Sequence, residues 1–226
     1  GSRTVVATFG EGCYFAGYDV ALPTEYAYKS KSEGGIWEEG DLRRDESIRY
    51  DFTYLGITPT EVSWGADELD PHIKKYEDER TDQFNGNLAN EWYSGKNFIV
   101  LRYADVLLCY AECLNELGET GEANTVVNQV RARAWGGTLP NEMAWNYGQD
   151  EFRVQIMDER IRELCFEGWR RMDLIRTGKF VELIKERNPW AKKSGTIKEF
   201  HMRWPIPDTE IKNNSDISEE DQNPGY

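Results

Sequence analysis

Apolar positions along this chain follow two regimes, and the change falls near Asn97. Beyond it, Ala104, Leu107, Leu108, Ala111, Leu114 and Leu117 recur at i, i+3, i+4 and i+7, which places them on one face of a helix. Gly118 supplies the stop, since a residue without Cβ readily takes the left-handed conformation that closes many helices. Ala123, Val126, Val127, Val130 and Ala134 repeat the spacing until Gly136 and Gly137 end it. Two helices joined through Glu119 and Thr120 must pack antiparallel. In length and in its use of small Ala residues the pair resembles a tetratricopeptide-type hairpin, present in one clear copy. A third helix is expected from Asp150 as N-cap, burying Val154, Met157, Ile161, Leu164 and Cys165. Shorter helical stretches follow over 169–176 and 179–187, parted by Gly178, and 204–226 reads as an irregular tail.

Upstream the periodicity fails. Residues 1–96 are rich in Gly, Tyr, Trp and acidic side chains, with short alternating pieces at 4–9 and 47–54, so long loops with a few short strands or helices are expected. The fold class is therefore mainly α. A loop-rich, aromatic-rich segment (1–96) should pack on a helical region (97–226) to make one continuous domain.

Charge narrows the choice of ligand. With 27 Lys and Arg against 41 Asp and Glu, the net charge of -14 repels phosphate backbones and anionic lipid surfaces, which disfavours nucleic acid and suits a neutral or cationic ligand. No apolar run approaches the ~20 residues of a spanning helix. Cys109 and Cys113 lie one helical turn apart. They could form a disulfide or metal pair, but two core thiols on an apolar face fit the usual burial of free cysteine better. The opening Gly-Ser reads as a cloning scar, and no signal peptide follows it.

Chemistry is scarce. Nucleophile elbow, phosphate loop, dinucleotide fingerprint and zinc-helix motifs are all missing from the sequence. His72 and His201 lie far apart with no nucleophile beside either, and both read as surface or loop histidines. The acidic stretch 213–221 lacks the glycine-centred spacing of a calcium loop. No catalytic residue, metal or cofactor is expected. A catalytic reading of Glu159, Glu163 and Glu167 competes with a charge network shared with Arg160 and Arg162, and the interleaved signs favour the network.

Aromatic residues are more informative. The chain has 8 Trp and 12 Tyr, many beside Gly, Asn, Glu or Ser in segments with no apolar period. A ring with polar neighbours can stack on the apolar face of a sugar while those neighbours bond its hydroxyls. Trp37, Trp64, Tyr14, Tyr18 and Trp92 are the candidate platforms, with loop anchoring as the alternative role of each.

Specific residues then point to a family. The run from Asn97 to Glu112 contains Arg102-Tyr103-Ala104-Asp105-Val106-Leu107-Leu108 and Tyr110-Ala111-Glu112, which resembles the R-Y-A-D-x-L-L-x-Y-A-E signature of the SusD/RagB family. Further similar blocks follow in order: Asn128 with Val130, Arg131, Arg133 and Ala134; the stretch from Glu159 to Lys179; Pro205-Ile206-Pro207 with Glu210, Ile211 and Asn214; and the closing Gln222-Asn223-Pro224-Gly225-Tyr226. Gly40-Asp41 with Arg43-Arg44 is a weaker match upstream. Family members are usually longer, so the chain resembles a C-terminal portion. The resemblance implies a surface lipoprotein of the bacterial outer membrane, its lipid anchor outside this chain. Such a protein captures a glycan without turnover and hands it to a SusC-like TonB-dependent transporter. A helical protein-interaction adaptor and a helical glycoside hydrolase are the other classes open. Sugar sites of the family lie mainly in variable loops. Arg102, Asp105, Glu112, Arg131, Glu159, Arg160, Glu163, Arg170 and Asp173 are accordingly expected as scaffold charges pairing between helices.

Overall fold

The computed structural model describes residues 22–49, 71–76, 97 and 99–226. It is mostly helical. Two compact units divide at Arg170/Arg171, well beyond the compositional change at 96/97.

Among the described residues of the first unit, α1 (Glu25–Tyr28) comes first, and Thr24 Oγ1 caps it by accepting from the Ala27 amide at 3.3 Å. After a 3-10 turn and the one-turn helix α2 (Arg43–Ser47), strand β1 (Ile48–Arg49) pairs antiparallel with β2 (His72–Ile73) in the register Ile48 to Ile73. His72 is fully buried there, against the expectation of a surface histidine. A small core of Ile36, Trp37, Ile48 and Cys165, with Tyr26, Tyr28, Ile161 and Phe166 around it, joins this segment to the end of a helix more than 100 residues away.

The helical scaffold follows. α3 (Tyr103–Glu116) and α4 (Thr120–Ala134) form the expected hairpin, turning through Gly118 at φ +85°, where a Cβ would be strained. Leu108, Ala111 and Leu114 are buried on α3, and Ala123, Val126, Val127, Val130 and Ala134 on α4. Leu117 lies beyond the last turn of α3 and stays exposed. Cys109 and Cys113 flank the buried stripe and are exposed free thiols, which corrects their expected place in the core.

α5 (Gln149–Leu164) starts at Gly148 rather than at Asp150, whose carboxylate instead accepts from Arg153 one turn on at 2.6 Å. Its inward face runs Phe152, Ile156, Glu159, Arg160 and Glu163, an unbroken i, i+4, i+7, i+8, i+11 stripe. Charged residues carry that stripe through its second half, and the expected Met157, Leu164 and Cys165 are buried beside it, with Ile161 packed against the small core. Val154, expected inside, is 63% exposed. Asn128 and Asn124, one turn apart on α4, clamp the connection into α5. Each accepts from a backbone amide and donates to the same residue's carbonyl, Asn128 at Trp145 (2.8 and 3.1 Å) and Asn124 at Tyr147 (3.0 and 2.9 Å).

The second unit, residues 171–226, holds most of α6 (Arg170–Arg176), then α7 (Phe180–Arg187), α8 (Pro189–Ser194) and α9 (Asp208–Asn213). α9 gives the tail more order than its Pro and Asn content suggests. The terminal residues form a clasp on the stretch before α9. Gln222 exchanges two hydrogen bonds with the Ile206 backbone (2.8 and 2.9 Å), Asn223 Nδ2 donates to the Trp204 carbonyl at 2.8 Å, and the Tyr226 hydroxyl donates to the Arg203 carbonyl at 2.9 Å. At Gly225 a Cβ would lie 2.4 Å from the Phe200 ring, so this position admits only glycine.

Candidate functional site

The densest chemistry in the first unit is a buried charge cluster centred on Glu159. Its Oε1 accepts from Arg43 Nη1 at 2.8 Å, and its Oε2 accepts from Arg131 Nη1 at 3.0 Å and Arg162 Nη2 at 2.8 Å. Three helices thus aim guanidinium groups at one carboxylate with no exposed surface. Arg43 grips Asp41 with two nitrogens, at 2.9 and 2.7 Å, and reaches Glu163 at 3.0 Å with the Nη1 that it also gives Glu159. Glu163 also accepts from Arg133 at 2.5 Å and from Arg102. Arg102 then forks onto both oxygens of Glu167, each at 2.8 Å. On the other flank Glu38 accepts from Arg131 at 2.6 Å and from Lys31 at 2.6 Å. The planar five-donor fork of arginine makes such multiple bridging practicable, where a lysine would serve as a point charge.

Electrostatically the centre closes on itself. Asp41, Glu159 and Glu163 balance Arg43, Arg131 and Arg162, all six buried, so the interior carries no net charge. Burial alone would push the Glu159 carboxyl up, but Arg43, Arg162 and Arg131 overcome that and hold it far below the usual range. Glu163 is likewise lowered against its burial by Arg43 and Arg102, and Glu38 by Arg162 and Arg131. Arg43 is raised well above its ordinary value, since Glu159 and Asp41 more than offset its own desolvation. A general acid needs its proton held near neutral pH, and these carboxyls are driven the other way. Their chemistry is scaffold chemistry.

A second buried pair lies alongside, where Arg160 meets Asp105 at 3.0 Å and Glu112 at 3.7 Å. Arg102, Asp105, Glu112, Arg131, Glu159, Arg160 and Glu163 thus pair between elements as expected. Arg170 also donates to the Met157 carbonyl at 3.1 Å, and Asp173 pairs with Arg176 within α6 at 2.8 Å. Asp105→Ala is expected to lower stability by about 3 kcal/mol, the low end for breaking a buried pair, since Arg160 retains Glu112 and Cys109 among its contacts. Thermal melts by circular dichroism test this; a curve superimposable on the parent's would remove Asp105 from the scaffold.

Sequence reasoning placed Arg162 in a charge network with Glu159 and Glu163, but missed Glu38 and did not join Arg43 to the cluster. The weak Gly40-Asp41-x-Arg43 match was the one available signal for Arg43.

Of the candidate platforms, Trp37 is 1% exposed and its Nε1 donates to the Ala27 carbonyl at 2.6 Å, so its ring belongs to the core and offers no face to a ligand. Tyr14, Tyr18, Trp64 and Trp92 lie outside the described residues. Trp145 is buried in edge-on contact with Tyr147 and Phe152, with Arg131 over its ring at 5.4 Å. Among the described residues no group of three or more His, Cys, Asp or Glu is placed to hold a metal, and no helix is long and apolar enough to cross a membrane.

Comparison with known proteins gives this scaffold a lineage. The SusD family pattern matches residues 18–226. The chain is 31% identical over 222 residues to SusD-like protein P2 of Formosa agariphila, covering 94% of this chain and 41% of that protein. It is 28% identical over 159 residues to the starch-binding protein SusD of Bacteroides thetaiotaomicron, covering 68% of this chain and 26% of that protein. A crystal structure of a SusD homolog from Bacteroides thetaiotaomicron superposes with a TM-score of 0.64 at 26% identity, over 83% of this chain and 41% of that one. The chain thus spans between a quarter and two fifths of the length of these relatives. With the helical hairpin, the paired charges and the closing clasp in place together, this chain belongs to the SusD family.

Proposed function

We propose that the protein captures a glycan at the outer-membrane surface of a bacterium, without turning it over, and delivers it to a SusC-like TonB-dependent transporter. Family membership over residues 18–226, with a relative that binds starch, carries this reading. Surface attachment through an N-terminal lipid follows from the same membership. The charge cluster supports a non-catalytic role, because Glu38, Glu159 and Glu163 are all pulled toward ionisation and none serves as a proton donor. Binding then rests on stacking and hydrogen bonds from loop aromatics, of which Trp64, Tyr14, Tyr18 and Trp92 remain the proposed platforms in residues 1–96.

Affinity electrophoresis through gels containing soluble polysaccharides tests the reading, with reducing ends measured in parallel. Retarded migration with no new reducing ends is expected for at least one glycan. Release of reducing ends would make the protein a hydrolase.

A second reading, a helical protein-interaction adaptor, draws on one observation. Tyr103, Val106, Tyr110 and Leu117 form an exposed apolar line along the outer side of α3. Free migration through every glycan gel would favour it over capture.

A further inference from the structure

We propose that the outward face of the Trp204 indole is a stacking platform for a pyranose ring, a subsite in the second unit that adds to the loop platforms. This rests on the glycan-capture reading.

Trp204 is 72% exposed, yet it is held from behind. The Arg171 guanidinium lies over its ring at 4.5 Å and over the buried Phe180 ring at 4.8 Å. Arg171 is itself fixed, because its Nη2 donates to the His201 carbonyl at 2.6 Å. The terminal clasp then pins the backbone on both sides of the indole, at Arg203, Trp204 and Ile206. Pro205 further restricts the backbone next to it. One face of the indole is thus occupied by a cation and the chain carrying it is immobilised, while the rest of the ring meets water.

Holding a large solvated aromatic in this way contributes little to folding, because most of its apolar surface is never withdrawn from water. It does lower the entropy lost when a flat apolar group docks on the ring. Trp190, at 60% exposure, has no cation over its ring among the described residues. The field at Trp204 also suits an uncharged partner. Residues 171–226 carry as many basic as acidic side chains, so the net charge of -14 falls on residues 1–170. The apolar face of a neutral sugar ring meets both conditions, with the exposed Arg203 side chain available to its hydroxyls.

The test uses the whole 226-residue chain. Wild type, Trp204→Ala, Trp204→Gln and Trp204→Phe are compared by affinity electrophoresis in amylopectin, laminarin and xylan, with circular dichroism melts on each. Trp204→Ala and Trp204→Gln are expected to weaken retention by about fivefold to a hundredfold, the range of aromatic stacking losses elsewhere, while Trp204→Phe keeps most of it. Melting temperatures should move little, given the exposure of the ring. Wild-type retention matched by both Trp204→Ala and Trp204→Gln overturns the subsite and leaves glycan capture standing. A wild type that no glycan retards overturns both. Should one variant melt early, the other decides, since they remove the ring face in chemically different ways.

Discussion

Replacing Glu159 with alanine is expected to remove about 3–5 kcal/mol of stability, the usual cost of stranding a buried partner. Here the deletion strands three guanidiniums at once, those of Arg43, Arg131 and Arg162, in a site with no exposed surface on the glutamate. Arg43 keeps Asp41 and Glu163, and Arg131 keeps Glu38 and the Met143 carbonyl, so the loss stops short of three full desolvation penalties. A domain of ordinary stability holds about 5–15 kcal/mol in all, so this one residue governs a large share. Glu159→Gln preserves the shape and one acceptor but brings amide hydrogens toward cations, and should fall between alanine and wild type. Urea unfolding followed at 222 nm measures both; a midpoint shift worth less than about 1 kcal/mol for the alanine variant would show that the cluster relaxes around the gap.

Acid should undo the same site. Glu159, Glu163 and Glu38 all have folded pKa values below those of the unfolded chain, whose glutamates titrate near 4.5. The unfolded state therefore takes up protons first as pH falls. The stability these groups supply is fully present above that unfolded value and is lost as pH descends from about 5 toward their folded values. The three groups shift in the same direction, so their losses add as pH falls from 5 toward 3. Protonation of surface carboxylates in a chain of net charge -14 works in the opposite direction by relieving repulsion. At 0.15 M salt that repulsion is screened beyond about 8 Å, whereas the buried cluster is not, so the cluster prevails. Melting temperature measured from pH 7 to pH 3 should drop steeply below pH 5, and Glu159→Ala should flatten the drop. A level profile down to pH 3 would contradict the electrostatic account.

What was legible in the sequence was whatever repeats with the pitch of a helix. The α3–α4 hairpin was readable because apolar residues alone build its inner faces and glycines end both helices. α5 was readable as a helix with Met157, Leu164 and Cys165 inward, but its charged stripe was not, because Glu159, Arg160 and Glu163 occupy inward positions that an apolar pattern leaves blank. The family motifs named most of these charges, yet Glu38 and Arg43 were not joined to them, since Arg131 lies 93 residues from Glu38, and Glu159 and Glu163 lie 116 and 120 from Arg43, with no periodicity connecting them. The platforms show the opposite limit. A tryptophan between Gly35 and Gly40 looks the same in sequence whether its ring is solvated or, like that of Trp37, enclosed by Ile36, Ile48 and Cys165. Trp204 stands immediately before the Pro205-Ile206-Pro207 motif and reads as part of an irregular tail, because the contacts that hold it come from Arg171 and from the last residues of the chain.

Arg43 bonds to Glu159 and Glu163 across 116 and 120 residues of sequence. A chimera that crosses over near residue 96, where the composition changes, would inherit Glu159 and Glu163 from one parent and the Arg43–Asp41 fork from another. Recombination between relatives is therefore tolerated at that junction only when both parents present the same fork at the same depth, which couples the evolution of a loop-rich region to that of helices it does not resemble.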